Sequence, residues 1–198
     1  MSGRAFESVL VTGGAGYVGA VLVPRLLDAG YRVRVLDVYA FGRDALASVA
    51  KHPRLEEVEA DLRDDAAVRR SVAGMDAVIH LACISNDPSC ELAPALSREI
   101  NYDSFEPLLR MSEEAGVRRF VFASSSSVYG VSNAPEVRED HPLEPITDYN
   151  RYKGMCETVL FRHQALDFTT VAIRPGTVCG RSPRQRLVLP VDILTTHA

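Results

Sequence analysis

Two residues four positions apart, Tyr149 and Lys153, stand in the stretch DYNRYKGMCE. On a helix, positions i and i+4 share a face. A free phenol has a pKa near ~10, too high for a base at neutral pH. A lysine ammonium nearby favours the phenolate, and so would a cationic cofactor. Such a pair can take a proton from a substrate hydroxyl and return it. The spacing alone is weak evidence, because Tyr and Lys are common on solvated helix faces. Two earlier stretches give it context. FASSSSVYG places Ser124, Ser125, Ser126 and Ser127 in a row, and VLVTGGAGYVGAVL carries glycines at 13, 14, 16 and 19.

The glycines satisfy both G-x-x-G-x-x-G (Gly13, Gly16, Gly19) and G-x-G-x-x-G (Gly14, Gly16, Gly19). Glycine permits a tight turn and a close approach of backbone to a pyrophosphate. The helix that follows offers free N–H groups to that phosphate. Asp37 lies 18 positions past Gly19. A carboxylate there accepts hydrogen bonds from the adenosine ribose and repels a 2′-phosphate, which favours NAD over NADP. Arg34 and Arg43 lie close enough in sequence to oppose that preference.

The elements needed to position these residues are legible as alternating patterns. Strands are expected at Ser8–Thr12, Arg32–Asp37, Leu55–Asp61, Ala77–Ala82, Arg119–Ser125 and Thr169–Pro175. Helices are expected at Gly19–Gly30, Asp64–Gly74 and Tyr149–Leu166, with a long helical pattern over Glu91–Gly116 that Pro107 should kink or break. This order predicts an α/β fold: a doubly wound, Rossmann-like parallel sheet of about six strands with helices on both faces. Ligands of such sheets bind beyond the carboxyl ends of the strands. The chemistry should therefore follow Thr12, Asp37, Ala82, Ser125 and Arg174. The stretch 126–148 shows no clear element, and a loop that long is more often functional than not.

Composition narrows the classes. The chain has 198 residues, 46% hydrophobic and 24% charged, with a net charge of −4. That is ordinary for a globular domain and argues against a nucleic-acid or anionic-membrane surface. No signal peptide and no membrane span is expected. The four cysteines, Cys83, Cys90, Cys156 and Cys179, form no CxxC, and no metal-ligand constellation appears. Free thiols, a cytoplasmic location and no metal site are the expectation.

Taken together, TGGAGYVG, VLD, ADLRD, HLA, REIN, FASSSSVYG, YNRYK and IRPGTVCG resemble the extended short-chain dehydrogenase/reductase superfamily, in its NAD-dependent epimerase/dehydratase (nucleotide-sugar) branch. The resemblance covers nearly the whole chain and implies roles by position. Thr12, Gly13, Gly16, Tyr17, Val18 and Gly19 would hold the pyrophosphate of NAD, and Asp37 its adenosine ribose. Asp61 and Leu62 would flank the adenine, and Leu81 and Ala82 would line the path to the nicotinamide. Asn101 would support the active-site helix. Ser125 would hold the reacting oxygen of the substrate, and Tyr149 would be the general acid/base. Lys153 would bind the nicotinamide ribose and favour the phenolate. Pro175 would begin the segment beside the carboxamide.

Within that branch, dehydratases carry an Asp–Glu pair before VYG, and decarboxylases keep a Glu. Here Ser126 and Ser127 stand there, as candidate substrate contacts, and a hydroxyl is a poor acid/base at neutral pH. Redox at one carbon needs only Ser125, Tyr149 and Lys153. This favours a 4-epimerase or a reductase/dehydrogenase acting on a nucleotide-activated sugar. Cys83 and Cys179 read as packing residues rather than acid/base groups, and His80 as a satisfied strand-end histidine. Arg181, Arg184 and Arg186 suit either a substrate diphosphate or a solvated tail. Residues 1–180 are expected to form the NAD-binding domain, and 181–198 the start of a substrate region most of which is missing. A truncated NAD-binding module acting through a partner is the alternative. The resemblance also implies a homodimer packed through the two long helical segments.

Overall fold

The computed structural model describes residues 5–85 and 87–185. Six parallel strands form one sheet in the order β3-β2-β1-β4-β5-β6. They are β1 Ser8–Thr12, β2 Arg32–Asp37, β3 Leu55–Glu59, β4 Ala77–His80, β5 Arg119–Ala123 and β6 Thr169–Ile173. The expected strands all form, each ending up to two residues earlier than its apolar run. The register pairs Thr12 with Leu36 on one side and with His80 on the other. The chain reverses its winding between β1 and β4, which opens a crevice beyond their carboxyl ends.

The central strands β1 and β4 read as near-continuous apolar runs because both of their faces are covered. Alternation sends Val9, Val11, Val33 and Val35 to one face, where they meet Val23 and Leu27 of α1 (Gly19–Asp28) and Leu46. Leu10, Leu36, Val78, Phe120 and Phe122 point to the other. There they pack on Val68 and Val72 of α2 (Asp65–Val72), Phe105 and Leu109, and Cys156 and Leu160. Each of the fully buried Leu and Phe side chains is worth roughly 1.5–3 kcal/mol.

Local chemistry sets the helix ends. α1 closes in a Schellman turn: Gly30, at φ 93°, donates to Leu27 O and Tyr31 N to Leu26 O. Asp64 caps α2 by accepting from Ala67 N at 3.1 Å.

The long pattern from Glu91 to Gly116 is where the fold departs from expectation. It is broken into α3 (Asp87–Leu92), α4 (Pro94–Arg98), a π-helical turn (Glu99–Asp103) and α5 (Phe105–Glu114). Pro107 does not make the break. It sits in the first turn of α5, where a missing N–H costs little. The widened turn lies just upstream, closed by Ser104 N to Glu99 O. Its centre is the buried Asn101, whose amide clamps the backbone of Ile84 from both sides. Oδ1 accepts from Ile84 N at 2.8 Å and Nδ2 donates to Ile84 O at 2.9 Å. The segment after β4 is thereby fixed to the helix layer.

The last helix, α6 (Asp148–Arg162), is capped by Thr147, which also donates to Asp87. Its inward face carries Asn150, Lys153, Cys156, Glu157 and Leu160. Within 126–148, Ser126–Tyr129 forms a 3-10 turn at the head of the loop. Among the described residues no helix is long and apolar enough to cross a membrane.

Candidate active site

The glycine loop is built against the switch point. Gly13 has φ 71°, and a Cβ there would lie 2.6 Å from the backbone N of Ala82. A Cβ at Gly19 would lie 2.5 Å from Gly14 Cα. Loop, helix and the segment after β4 thus approach at backbone distance. At Gly16 a Cβ would meet only Gly13 O, at 3.1 Å, so that side of the loop stays open. This arrangement suits a pyrophosphate laid on the N-terminus of α1.

Asp37 ties the loop to β2. Its carboxylate accepts from Ala15 N at 2.9 Å and from Tyr39 N at 2.8 Å. One bond per oxygen leaves acceptor capacity for two ribose hydroxyls. Tyr39 takes φ 51°, unusual for a bulky residue. It is held there by donating its hydroxyl to Glu57 and by Arg43, whose guanidinium lies 4.3 Å over the ring. Burial and that glutamate push the Tyr39 phenol well above its ordinary range. The two arginines near Asp37 are occupied. Arg34 pairs with Glu56 and donates to the carbonyls of Arg70, Ser71 and Ala73; Arg43 pairs with Glu59.

The other cofactor candidates fall around this crevice with differing freedom. Thr12 is buried and shares a 2.7 Å hydrogen bond with His80 Nδ1. Tyr17 is half-buried and Val18 exposed at the head of α1. Asp61 is engaged by Arg63, whose hydrogen bonds hold its carboxyl below the usual range. The Leu62 side chain is committed to the core. Leu81 and Ala82 are half-buried beside Gly13, and Pro175 O accepts from Ser126 N at 2.9 Å.

The serine run and α6 meet at the end of β5. Ser125 has extended backbone and opens the 3-10 turn. Its hydroxyl lies 2.6 Å from that of Ser127, and it accepts from Ser127 N at 3.2 Å. Ser127 in turn donates to Asn150 Oδ1. A serine has one proton, so the proton of Ser125 points to Ser127 in this arrangement. Lys153 is 3% exposed and donates to Ala123 O at 2.7 Å. Its ammonium lies 5.8 Å from the centre of the Tyr149 ring and 4.7 Å from that of Phe122. No carboxylate pairs with it among the described residues, so its charge is left to act on the site.

The sequence matches the NAD dependent epimerase/dehydratase family over residues 9–197. The chain belongs to that family. It is 33% identical over 181 residues to a UDP-glucose 4-epimerase of Streptococcus mutans, covering 89% of this chain and 53% of that protein. It is 34% identical over 182 residues to a 3 beta-hydroxysteroid dehydrogenase/Delta 5→4-isomerase of Mycobacterium tuberculosis, covering 87% and 47%. The crystal structure of a Thermus thermophilus UDP-glucose 4-epimerase in complex with NAD superposes with a TM-score of 0.83 at 31% identity. It covers 96% of this chain and 60% of that one. The chain therefore spans about half the length of the curated relatives it matches.

One part of this candidate site, the Glu157–Arg174 pair, carries no motif in the sequence. Glu157, 2% exposed, accepts from Ser124 Oγ and is gripped by Arg174 through Nε at 3.0 and 3.1 Å and through Nη2 at 2.6 Å. Arg174 also donates to Tyr129 OH at 2.6 Å and Glu139 O at 2.8 Å. The ends of β5 and β6, the serine turn, the following loop and α6 are joined by this one pair. A signal exists: Glu157 lies one turn past Lys153 on the same helix face.

The remaining candidates sort simply. Cys90 and Cys156 are buried, and burial pushes the Cys156 thiol up to about 12. Cys83 is half-buried and Cys179 exposed; all four are free thiols. Arg181 is exposed, Arg184 lies on the Phe41 ring at 3.7 Å, and Arg186 lies outside the described residues. No group of three or more metal-ligating side chains occurs among the described residues.

His80 is buried among Phe105, Phe120 and Phe122. Burial first, and the Lys153 charge second, push it down to about 3. It is neutral in the fold, while the unfolded chain takes up a proton below pH ~6.5. This group therefore favours unfolding as pH falls from that value to about 3. The expected slope is about 1.4 kcal/mol per pH unit. Urea unfolding of the parent chain and of His80→Gln between pH 7 and pH 4 isolates it: the variant should show a shallower fall by that amount, and equal slopes would refute the assignment.

Proposed function

We propose that this chain is the cofactor-binding and catalytic part of an NAD-dependent oxidoreductase or epimerase. It acts at a hydroxyl or keto carbon of a nucleotide-activated sugar. The observation that carries the reading is the buried Lys153 ammonium held beside Tyr149 at the end of β5, next to the Ser125 turn. When bound, NAD supplies the acceptor and donor of a hydride. The chain supplies the rest. Gly13–Gly19 receive the pyrophosphate, and Asp37 the adenosine ribose. With Arg34 and Arg43 both occupied, neither of them opposes the preference that Asp37 sets, which supports NAD over NADP.

Ser125 turns its proton from Ser127 to the substrate oxygen, a rotation about one bond. Tyr149 takes the proton of the substrate hydroxyl as its C–H hydride leaves, and returns it on reduction. The Lys153 charge stabilises the phenolate that this needs. Ser126 and Ser127 supply no carboxylate for elimination or decarboxylation. Single-carbon redox therefore remains, as in an epimerase or a reductase. Nucleotide-sugar enzymes recur among the relatives and structural neighbours, and this supports a sugar substrate over the steroid of the mycobacterial relative.

The test is spectroscopic. Purified chain loaded with NAD is mixed with UDP-, GDP- and dTDP-sugars, and absorbance of the reduced nicotinamide is followed. Reduction with at least one is expected. None with any of them, and none in a form extended to the length of the relatives, refutes the enzyme reading in favour of a binding module that acts through a partner.

Residues 1–180 are read as the NAD-binding unit and 181–198 as the start of the substrate region, in a cytoplasmic protein. A homodimer through the two long helical segments completes the proposal. It is supported by exposed Leu92, Leu96 and Met155 on these segments and by the Tyr102 and Tyr152 rings, which stack between them. Sedimentation at micromolar concentration should give a dimer, and Met155→Glu should shift it toward monomer; a monomeric parent chain overturns this part.

A further inference from the structure

After β6 the chain turns back across the sheet. Tyr17 donates its hydroxyl to Gly180 O at 2.6 Å, and Ser182 donates to Tyr17 O at 2.8 Å. The Ser182 hydroxyl also accepts from Arg184 N at 3.2 Å, which fixes a local turn. The strap 180–185 therefore rides on the glycine loop.

At its end Arg184 lays its guanidinium 3.7 Å over the ring of Phe41, four residues past Asp37. One nitrogen, Nη1, donates to Gln185 O at 3.0 Å. Nε is shielded from solvent and has no hydrogen-bond partner among the described residues. Among the described residues no carboxylate pairs with this side chain, whereas Arg34, Arg43, Arg63 and Arg174 all have one. A buried donor on a charged group without an acceptor is costly. The arrangement calls for an anionic acceptor from outside.

Position selects among anions. Arg184 is anchored, through Tyr17, to the loop at the N-terminus of α1, on the β1–β2 side of the crevice. Ser125, Tyr149 and Lys153 lie on the β5 side. A guanidinium held over an aromatic ring is restrained, and its planar fork suits bidentate binding of phosphate.

We propose that Arg184 is a ligand of the cofactor's diphosphate, carried over the glycine loop by the strap 180–185, and that it does not serve the diphosphate of the substrate. The inference rests on the NAD reading above. It gives this segment a role in holding the dinucleotide, and it completes with side-chain charge a cradle that the loop provides only through backbone.

The test compares the parent chain with Arg184→Gln, which removes the charge and keeps a planar polar end, and Arg184→Lys, which keeps the charge. Calorimetric titrations use NAD, ADP-ribose, adenosine, NADP and UDP. For Arg184→Gln the dissociation constants of NAD and ADP-ribose should rise about tenfold to a hundredfold, the worth of a charge-assisted hydrogen bond. Adenosine should be unchanged, and Arg184→Lys should recover part of the loss. Unchanged NAD binding overturns the proposal. So does a loss of UDP binding alone, which assigns Arg184 to the substrate diphosphate, or of NADP alone, which assigns it to a 2′-phosphate. Equal weakening of adenosine also overturns it, since the contact is then with the nucleoside. A parent chain that binds no dinucleotide refutes the NAD reading itself, and the two failures are thereby distinct.

Discussion

Replacing Tyr149 by Phe should lower turnover by about 10²–10⁴-fold, the usual worth of a positioned general acid/base. NAD affinity should change little. The ring stays on the first turn of α6 and keeps its place beside Lys153, whose ammonium is anchored separately on Ala123 O. Only the oxygen that carries the proton is lost. A Lys153→Met change should behave differently. It removes a buried charge that contacts both Ala123 O and the aromatic rings, and under the proposed role it also removes a cofactor contact. It should therefore weaken NAD and slow turnover together. The comparison separates a proton-transfer group from a structural tyrosine. Stopped-flow reduction of bound NAD by the active sugar reads turnover, and calorimetry reads NAD binding. Tyr149→Phe with undiminished reduction would falsify the acid/base role, whatever the fate of Lys153→Met.

The strands and the glycine loop can be read from sequence because each depends on residues adjacent in the chain. β1 and β4 are buried on both faces, so their apolar runs mark them directly. Gly13 and Gly19 are dictated by neighbouring backbone, which would lie only 2.6 and 2.5 Å from a Cβ placed there, so no other residue fits. The long helical segment is less legible. Pro107 invites a break at its own position, yet a proline in the first turn of a helix is easily accommodated. The chain instead widens at Glu99–Asp103, where Asn101 must reach Ile84, and the partner of that amide lies 17 residues away. The same reason hides Glu157. Its bond to Arg174 spans 17 residues and that to Ser124 spans 33, and both depend on β5, β6 and α6 already being side by side. Arg184 is legible as a phosphate-binding type, but not which phosphate. That depends on the strap lying over Tyr17, which no local pattern announces.

The Glu157–Arg174 pair leads to the second large effect, on stability. Glu157 is 2% exposed and the Arg174 side chain 17%, so removing one partner strands the other in a poorly solvated place. Breaking such a pair costs about 3–5 kcal/mol. For a chain of this size the midpoint of thermal unfolding falls roughly 2–4 °C per kcal/mol, so Glu157→Ala should melt about 6–20 °C lower. The loss should extend beyond Ser124, because Arg174 also holds Tyr129 and Glu139 O and so ties the loop after the serine turn. Replacing both partners by apolar residues of similar volume, Glu157→Leu with Arg174→Met, should restore more than half of the lost midpoint, since the stranded charge is gone. It should not restore all of it. The hydroxyl of Ser124 and that of Tyr129 then lose partners, at about 1–3 kcal/mol for each that stays buried. Calorimetric melting of the three proteins decides the matter. A single variant within about 2 °C of the parent, well under the shift expected for a broken buried pair, shows that the pair is solvated rather than buried. A double variant no better than the single one shows that the geometry of the network, and not its charge balance, holds the ends of β5 and β6 to α6.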